Sequence, residues 1–324
     1  MKIECGMLAI AMMAGCAMPA MADQVKPAWS GATEELFQTF IVDEGLKELG
    51  YDVGELTQIS SVQLVHTAVA NGDLTFYPVH WVPLHDTFWK ASGGDEKLMS
   101  VGTLIKNSLQ GYLIDKKTAD ATGIKYLEDL KDPEKAKLFD IDGNGKADLY
   151  GCEPGWGCER VIEHQIDALG LRDTVEEKQG GYFAIIPDAI ERIRAGKPTL
   201  YYTWTPLWVS AILRPGNEVV WLNVKNATLP DGETGNTIVE GLGNLGFPVN
   251  DQKIIVNTAW IKDNPKAKKF FELVQIPIAD VNAENSQIAN GEKSKEQVMK
   301  HATDWIAAHH ADWNKWIAEA KAAK

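Results

Sequence analysis

Leu74-Thr-Phe-Tyr-Pro-Val79 runs directly into His80-Trp81-Val82-Pro83-Leu84, and much later Thr199-Leu-Tyr-Tyr202 leads to Trp204-Thr205-Pro206-Leu207. Both stretches are rich in β-branched and aromatic residues over a strand's length. The first follows an apolar-periodic run from Val62 to Ala70 that stops at Asn71-Gly72, and the second follows a run from Asp188 to Arg194 that stops at Gly196-Lys197. The unit of helix, glycine, strand and Trp-x-Pro-Leu therefore occurs twice, about 120 residues apart. Two copies predict two similar α/β lobes, each presenting a tryptophan where a strand ends. Ligands of open α/β sheets sit beyond the carboxyl ends of the strands, which makes Trp81 and Trp204 candidate walls of a site. A chance likeness of two short stretches is the other reading.

Outward from these units, Leu36, Phe37, Phe40, Ile41, Leu46 and Leu49 fall at helical spacing from Thr33, the expected N-cap, to Gly50 as C-cap. A strand after a polar break near Asn107 to Leu113 marks a first crossing between lobes. The return is placed at Leu245 to Val249, after a glycine-rich irregular stretch from Asp231 to Gly246. Residues 23–109 and 249–324 are thus expected in lobe I and residues 110–248 in lobe II. The last helices, Pro265 to Val274 and Ser294 to Ala323, are expected on lobe I, with Trp305, Trp313 and Trp316 as packing residues.

The chain opens with Met1-Lys2 and an apolar run that ends at Ala20-Met21-Ala22, the pattern of a secretory signal peptide over residues 1–22. Export is expected, and no later run approaches the roughly 20 apolar residues of a membrane span. Met13-Ala14-Gly15-Cys16 partly matches a lipobox, which leaves a lipid-anchored form at Cys16 as the alternative. Cys152 and Cys158 are the two cysteines beyond the leader, and in an oxidising compartment a disulfide is the natural reading. A formal charge of -13 argues against nucleic acid or anionic membrane as partner.

Cys152-Glu-Pro-Gly-Trp156-Gly-Cys158 is the most informative segment for chemistry. A bridged Pro/Gly loop leaves its central indole nowhere to bury itself locally. The helical pattern from Glu159 to Leu169 then sets Gly157 and Cys158 at a helix start with free N–H groups, where anions bind. An aromatic face beside an anion site suits a small zwitterion with a poorly hydrated cation. A quaternary ammonium donates no conventional hydrogen bond and is held by cation–π attraction, about 0.5 to 2 kcal/mol per ring. A lid over the core is the other reading of Trp156. His85, one turn past Trp81, could donate to a carboxylate, and a structural or surface histidine is its other reading.

Val79-His-Trp-Val-Pro-Leu-His85-Asp, the segment from Asp148 to Glu159, and Tyr201-Tyr-Thr-Trp-Thr-Pro-Leu-Trp208 resemble the periplasmic glycine betaine/proline betaine-binding proteins of osmoprotectant ABC importers. Gln110-Gly-Tyr-Leu-Ile-Asp-Lys-Lys-Thr-Ala-Asp120 and Gly246-Phe-Pro-Val249 extend the resemblance over essentially the whole mature chain. It implies an α/β, two-lobe, class II type solute-binding fold with hinge-connected lobes and central sheets. It also implies that Trp81, Trp156 and Trp204 box a trimethylammonium group, that His85 and the amides of Gly157 and Cys158 take the carboxylate, and that Cys152 and Cys158 pair. A monomer in the periplasm that delivers its ligand to an ABC permease in the inner membrane is expected. His80 and Val82 depart from the family pattern, which has Asn and Thr around this tryptophan.

Asp140-Ile-Asp142-Gly-Asn144-Gly145-Lys-Ala-Asp148 matches the first nine positions of a calcium loop, with Gly151 where the bidentate Glu belongs. Calcium bound weakly by Asp140, Asp142, Asn144 and Asp148 is one reading, and a solvated acidic turn is the other. No further cofactor is expected. His301, His309 and His310 read as a solvated helical face. G-x-S-x-G, Walker and H-E-x-x-H motifs are absent from the sequence, which leaves serine hydrolase, NTPase and zincin chemistry without support. An exported betaine- or choline-processing enzyme, with His85 as its base, and a sensory binding module are the competing classes.

Overall fold

The computed structural model describes residues 24–324. The leader at residues 1–22 and the lipobox-like Cys16 lie outside the described residues. A seven-stranded sheet organises the rest, built from β1 (Phe76–Val82), β2 (Leu98–Asp115), β3 (Ala147–Tyr150), β4 (Val175–Lys178), β5 (Leu200–Thr205), β6 (Val219–Leu222) and β7 (Asn250–Asn257). Its order is β1-β7-β2-β5-β3-β4, with β6 also on β2. β1, β7 and the first half of β2 are antiparallel, whereas β3 runs parallel to both β4 and β5.

The expected strand near Asn107 to Leu113 is the second half of one 18-residue strand. The polar break at Lys106-Asn107-Ser108 does not end the strand but changes its partner. Up to Ser108, paired with Asn250, β2 lies on β7; from Leu109, paired with Thr205, it lies on β5. Asn107 takes a left-handed φ of 61° there and donates its N–H to Asp251.

Helix α1 (Thr33–Glu48) begins with Ala32 as N-cap, so Thr33 is its first helical residue and not the cap expected from sequence. The indole N–H of Trp29 donates to the Ala32 carbonyl at 2.7 Å, which pins the helix entry without a capping side chain. Helix α2 (Val62–Asn71) is capped by Ser61, which the sequence reading did not name, and is stopped by left-handed Gly72 as expected. Helix α3 (Gly157–Ala168) starts inside the disulfide loop. Helix α4 (Tyr182–Arg194) starts six residues before the expected Asp188 and carries Pro187 within it. Its true N-terminal turn holds Tyr182 and Phe183, which pack on the tryptophans described below.

α5 (Pro265–Leu273), α6 (Ile278–Ala289), α7 (Lys295–Ala308) and α8 (His310–Ala322) close the chain. α6 escapes a count of apolar residues because two of its four buried positions are Glu284 and Asn285. The run from Ser294 to Ala323 is two helices broken at His309, whose ring stacks on Trp305 at 4.2 Å and reaches Asp280. His301 is likewise no solvated residue, since it bridges Glu284 and Glu292. α1 packs on α7, and α5 on α8, around a core that includes Phe37, Phe270, Phe271, Trp305 and Trp313. Both buried indoles also hold hydrogen bonds, to Asp280 and Glu48.

α5 approaches β2 closely where Gly102, at φ 62°, faces Phe271: a Cβ there would sit 2.0 Å from the Phe271 carbonyl oxygen. Gly102→Ala is therefore both clashing and strained, and should lower stability by more than about 1 kcal/mol. A lowered urea midpoint with an unchanged slope is the expected result.

Candidate functional site

The two Trp-x-Pro units end facing one cavity. Trp81 reaches it from β1 and Trp204 from β5, and each is followed by a cis proline, Pro83 and Pro206. Trp156, at the N-cap of α3, is the third indole lining the same space. Trp156 and Trp204 meet edge to face with ring centres 5.5 Å apart. Tyr182, 4.6 Å from Trp204, backs that pair together with Phe183. Neither indole is free to rotate. Trp156 donates its N–H to the Ser60 carbonyl at 2.9 Å, and Trp204 donates to Glu34 at 3.1 Å.

His85, Gly157 and Cys158 line the same cavity. The Cys152–Cys158 disulfide closes the loop with its Cα atoms 5.9 Å apart, and Glu159 accepts from the Gly155 N–H, so the first turn of α3 is fixed. The amides of Gly157 and Cys158 precede the first N–H that can bond within the helix, and they are left for an acceptor in the cavity. Gly157 packs so tightly that a Cβ would sit 2.8 Å from Leu84 and 3.2 Å from the His85 ring.

His85 is locked to Trp81 in both directions. Its backbone N–H donates to the Trp81 carbonyl, and its Nδ1 accepts from the Trp81 N–H at 3.1 Å. With Nδ1 an acceptor, a neutral ring carries its proton on Nε2, which makes it a donor for an anion. Behind it lie two more buried histidines. His66 donates from Nδ1 to the Val62 carbonyl, leaving its Nε2 to accept from His80 Nδ1 at 3.0 Å. Burial drives all three rings below the usual imidazole range, His66 to about 4. The three offer nitrogens within 4.8 Å of one another, but this hydrogen-bond chain already uses most of them.

The six residues singled out from sequence, Trp81, His85, Trp156, Gly157, Cys158 and Trp204, all line this cavity, and sequence reasoning missed the rest of the lining. Glu34, Glu35 and Gln38 come from the first turns of α1, Gln110 from β2, Tyr202 from β5 and Gln252 from β7. The duplicated unit singled out indoles, and nothing local marks a glutamate in a first helical turn as more than a favourable helix-dipole charge.

In the Asp140 to Asp148 loop, three carboxylates gather within 4.8 Å. Asp140 accepts from Gly143 and Gly145 N–H groups, Asn144 accepts from Lys146, and the Lys178 ammonium contacts Asp142 at 2.6 Å and Asp148 at 2.8 Å. The positive charge among these carboxylates is thus a lysine of the chain itself.

Residues 23–308 match the profile of a family described as the substrate-binding domain of ABC-type glycine betaine transport systems. The chain belongs to that family. The glycine betaine-binding periplasmic protein of Dickeya dadantii is 46% identical over 307 residues, 94% of this chain and 92% of that protein. The glycine betaine/proline betaine-binding periplasmic protein of Escherichia coli is 45% identical over 95% of this chain and 93% of its own length. Among solved structures, an ABC-transporter choline-binding protein with choline superposes with a TM-score of 0.72 at 17% identity, covering 94% of this chain and 99% of that one. A lactococcal protein in its closed conformation with glycine betaine gives 0.68 at 20%, covering 91% and 100%. The fold is therefore the α/β substrate-binding fold expected from sequence. The family is one of periplasmic binding proteins rather than enzymes, which removes the processing-enzyme alternative.

Opposite shifts separate the histidines of this chain. Carboxylates raise His301 while burial depresses His66, His80 and His85. In nitrogen-resolved NMR, these three imidazoles should stay neutral as the pH falls through the ordinary histidine midpoint of about 6.5, while His301 takes up its proton at a higher pH than an ordinary histidine. Titration of His85 near its ordinary value would contradict its placement as a neutral donor.

Proposed function

We propose that the protein captures glycine betaine or proline betaine between Trp81, Trp156 and Trp204 and delivers it to an ABC permease of the inner membrane. The observation that carries this reading is three indoles lining one cavity together with the first residues of α3 and His85. Three rings at about 0.5 to 2 kcal/mol each, with charge-assisted hydrogen bonds to the carboxylate, suffice for a micromolar ligand. Neither half of the site alone specifies a betaine. Choline satisfies the box but leaves the anion end unused.

Residues 23–109 with 249–324, and residues 110–248, are taken as the two lobes. Trp81 and His85 then belong to one and Trp156, Gly157, Cys158 and Trp204 to the other. The contacts Trp156–Ser60, Trp204–Glu34 and Thr87–Glu233 all run between these segments. A ligand that touches both favours the closed arrangement by differential contacts. Residues of one chain complete the cavity, which supports a monomer as the acting unit.

Calorimetric titration tests the reading directly. Glycine betaine should bind and plain glycine should not, because its ammonium is strongly hydrated and gains little from the rings. Trp156→Ala should weaken glycine betaine by about 1 to 3 kcal/mol, and an unchanged affinity would exclude the box. Gly157→Ala should weaken it at least about tenfold, about 1.4 kcal/mol, through the contact with Leu84 and His85, while thermal unfolding shows the fold retained.

A further inference from the structure

Glu34 has no role in the reading above, yet its surroundings demand one. It lies in the first turn of α1, 4% exposed, and lines the cavity beside the indoles. Oε1 accepts from Trp204; Oε2 is buried with no hydrogen-bond partner. Buried carboxyl oxygens are normally paired, and an ionised one without a counter-charge is costly. No Lys or Arg lines the cavity among the described residues.

The groups that face Glu34 supply no positive charge. On its own helix, Glu35 spends its oxygens on the Ser30 N–H and the Tyr77 hydroxyl. Tyr77 from β1, Tyr182 from α4 and Tyr202 from β5 are all raised above the usual phenol range by burial, and so are neutral. His85, after β1, is depressed and neutral. Gln110 from β2 is uncharged, and Gln38, one turn along α1, presents a second buried acceptor oxygen without a partner. Burial, and then the neighbouring Glu35, push the Glu34 carboxyl up to about 8. In the empty cavity at pH 7 it holds its proton.

We propose that Glu34 is the counter-anion of the tryptophan box: it binds the methylated cation as a carboxylate and releases its proton to solvent as the ligand enters. This rests on the betaine reading and deepens it. A quaternary ammonium cannot donate to Oε2, but its charge stabilises the ionised form in a cavity of low dielectric. The O–H bond breaks, the electron pair stays on the carboxylate and the proton goes to the buffer, so the complex carries one negative charge more than the free protein.

Calorimetry of glycine betaine at pH 7 in buffers of different ionisation enthalpy reads the proton directly. Release approaching one proton per ligand is expected, with affinity falling up to about tenfold per pH unit below about pH 8 and levelling above. Glu34→Gln should abolish both the release and the slope, and Asp43→Asn, which alters another buried carboxyl of α1 outside the cavity, should keep both. Infrared difference spectra of the unaltered protein should show loss of a protonated carboxyl band on binding, which keeps the test independent of how the variants fold. The isostere tert-butylacetate, with carbon in place of the charged nitrogen, should release no proton if it binds. Normal binding without proton release, or release that survives Glu34→Gln, overturns the proposal and leaves the betaine reading standing. Failure of glycine betaine to bind at any pH overturns the betaine reading instead.

Discussion

A site for a cation that cannot donate hydrogen bonds must be made of aromatic faces, and aromatic faces collapse onto one another unless something holds them apart. The organisation around the cavity answers that constraint. Trp156 and Trp204 are tethered by their indole N–H groups to Ser60 and Glu34, and Tyr182 and Phe183 fill the space behind them. Trp81 is held through its backbone by the reciprocal bonds with His85. The polar edges of Trp156 and Trp204 are thus used for anchoring, which leaves their π-faces for the proposed solute.

The proposed anion site follows a different rule. Its donors are backbone amides at the start of α3, and their position depends on the covalent bridge between Cys152 and Cys158 and on a glycine small enough to meet Leu84 and His85. A neutral imidazole suits that place better than a charged one. The donor is then fixed by a tautomer, which the Trp81 N–H sets, and an empty pocket need not bury an unpaired imidazolium. His66 and His80, hydrogen-bonded to each other, pack their neutral rings against His85.

Much of this was legible in the chain because it is local. The Trp-x-Pro-Leu units, the glycine stop at Gly72 and the helix start at Gly157 and Cys158 are each determined within a few residues. What escaped notice depends on tertiary partners. Thr33 looked like a cap, but the helix entry is set by the Trp29 indole. The final helix broke at His309 because that ring prefers the Trp305 face and Asp280 to helical continuity. α6 hides its buried stripe behind Glu284 and Asn285, and His301 reads as solvated until the carboxylates of α6 and the following turn come to meet it. Glu34 is the clearest case, since only the meeting of α1 with β5 separates it from an ordinary acidic first turn.

One strand, β2, forms ladders with β7 up to Ser108 and with β5 beyond it, and Ser108 is the register partner of Asn250, where the chain comes back. The outbound and returning strands therefore cross between the proposed lobes side by side, like two pins in a door hinge. Two adjacent pins forbid sliding and splaying and leave rotation about the line through them. In the proposed two-lobe arrangement such a joint leaves essentially one coordinate of motion, a single swing between the lobes.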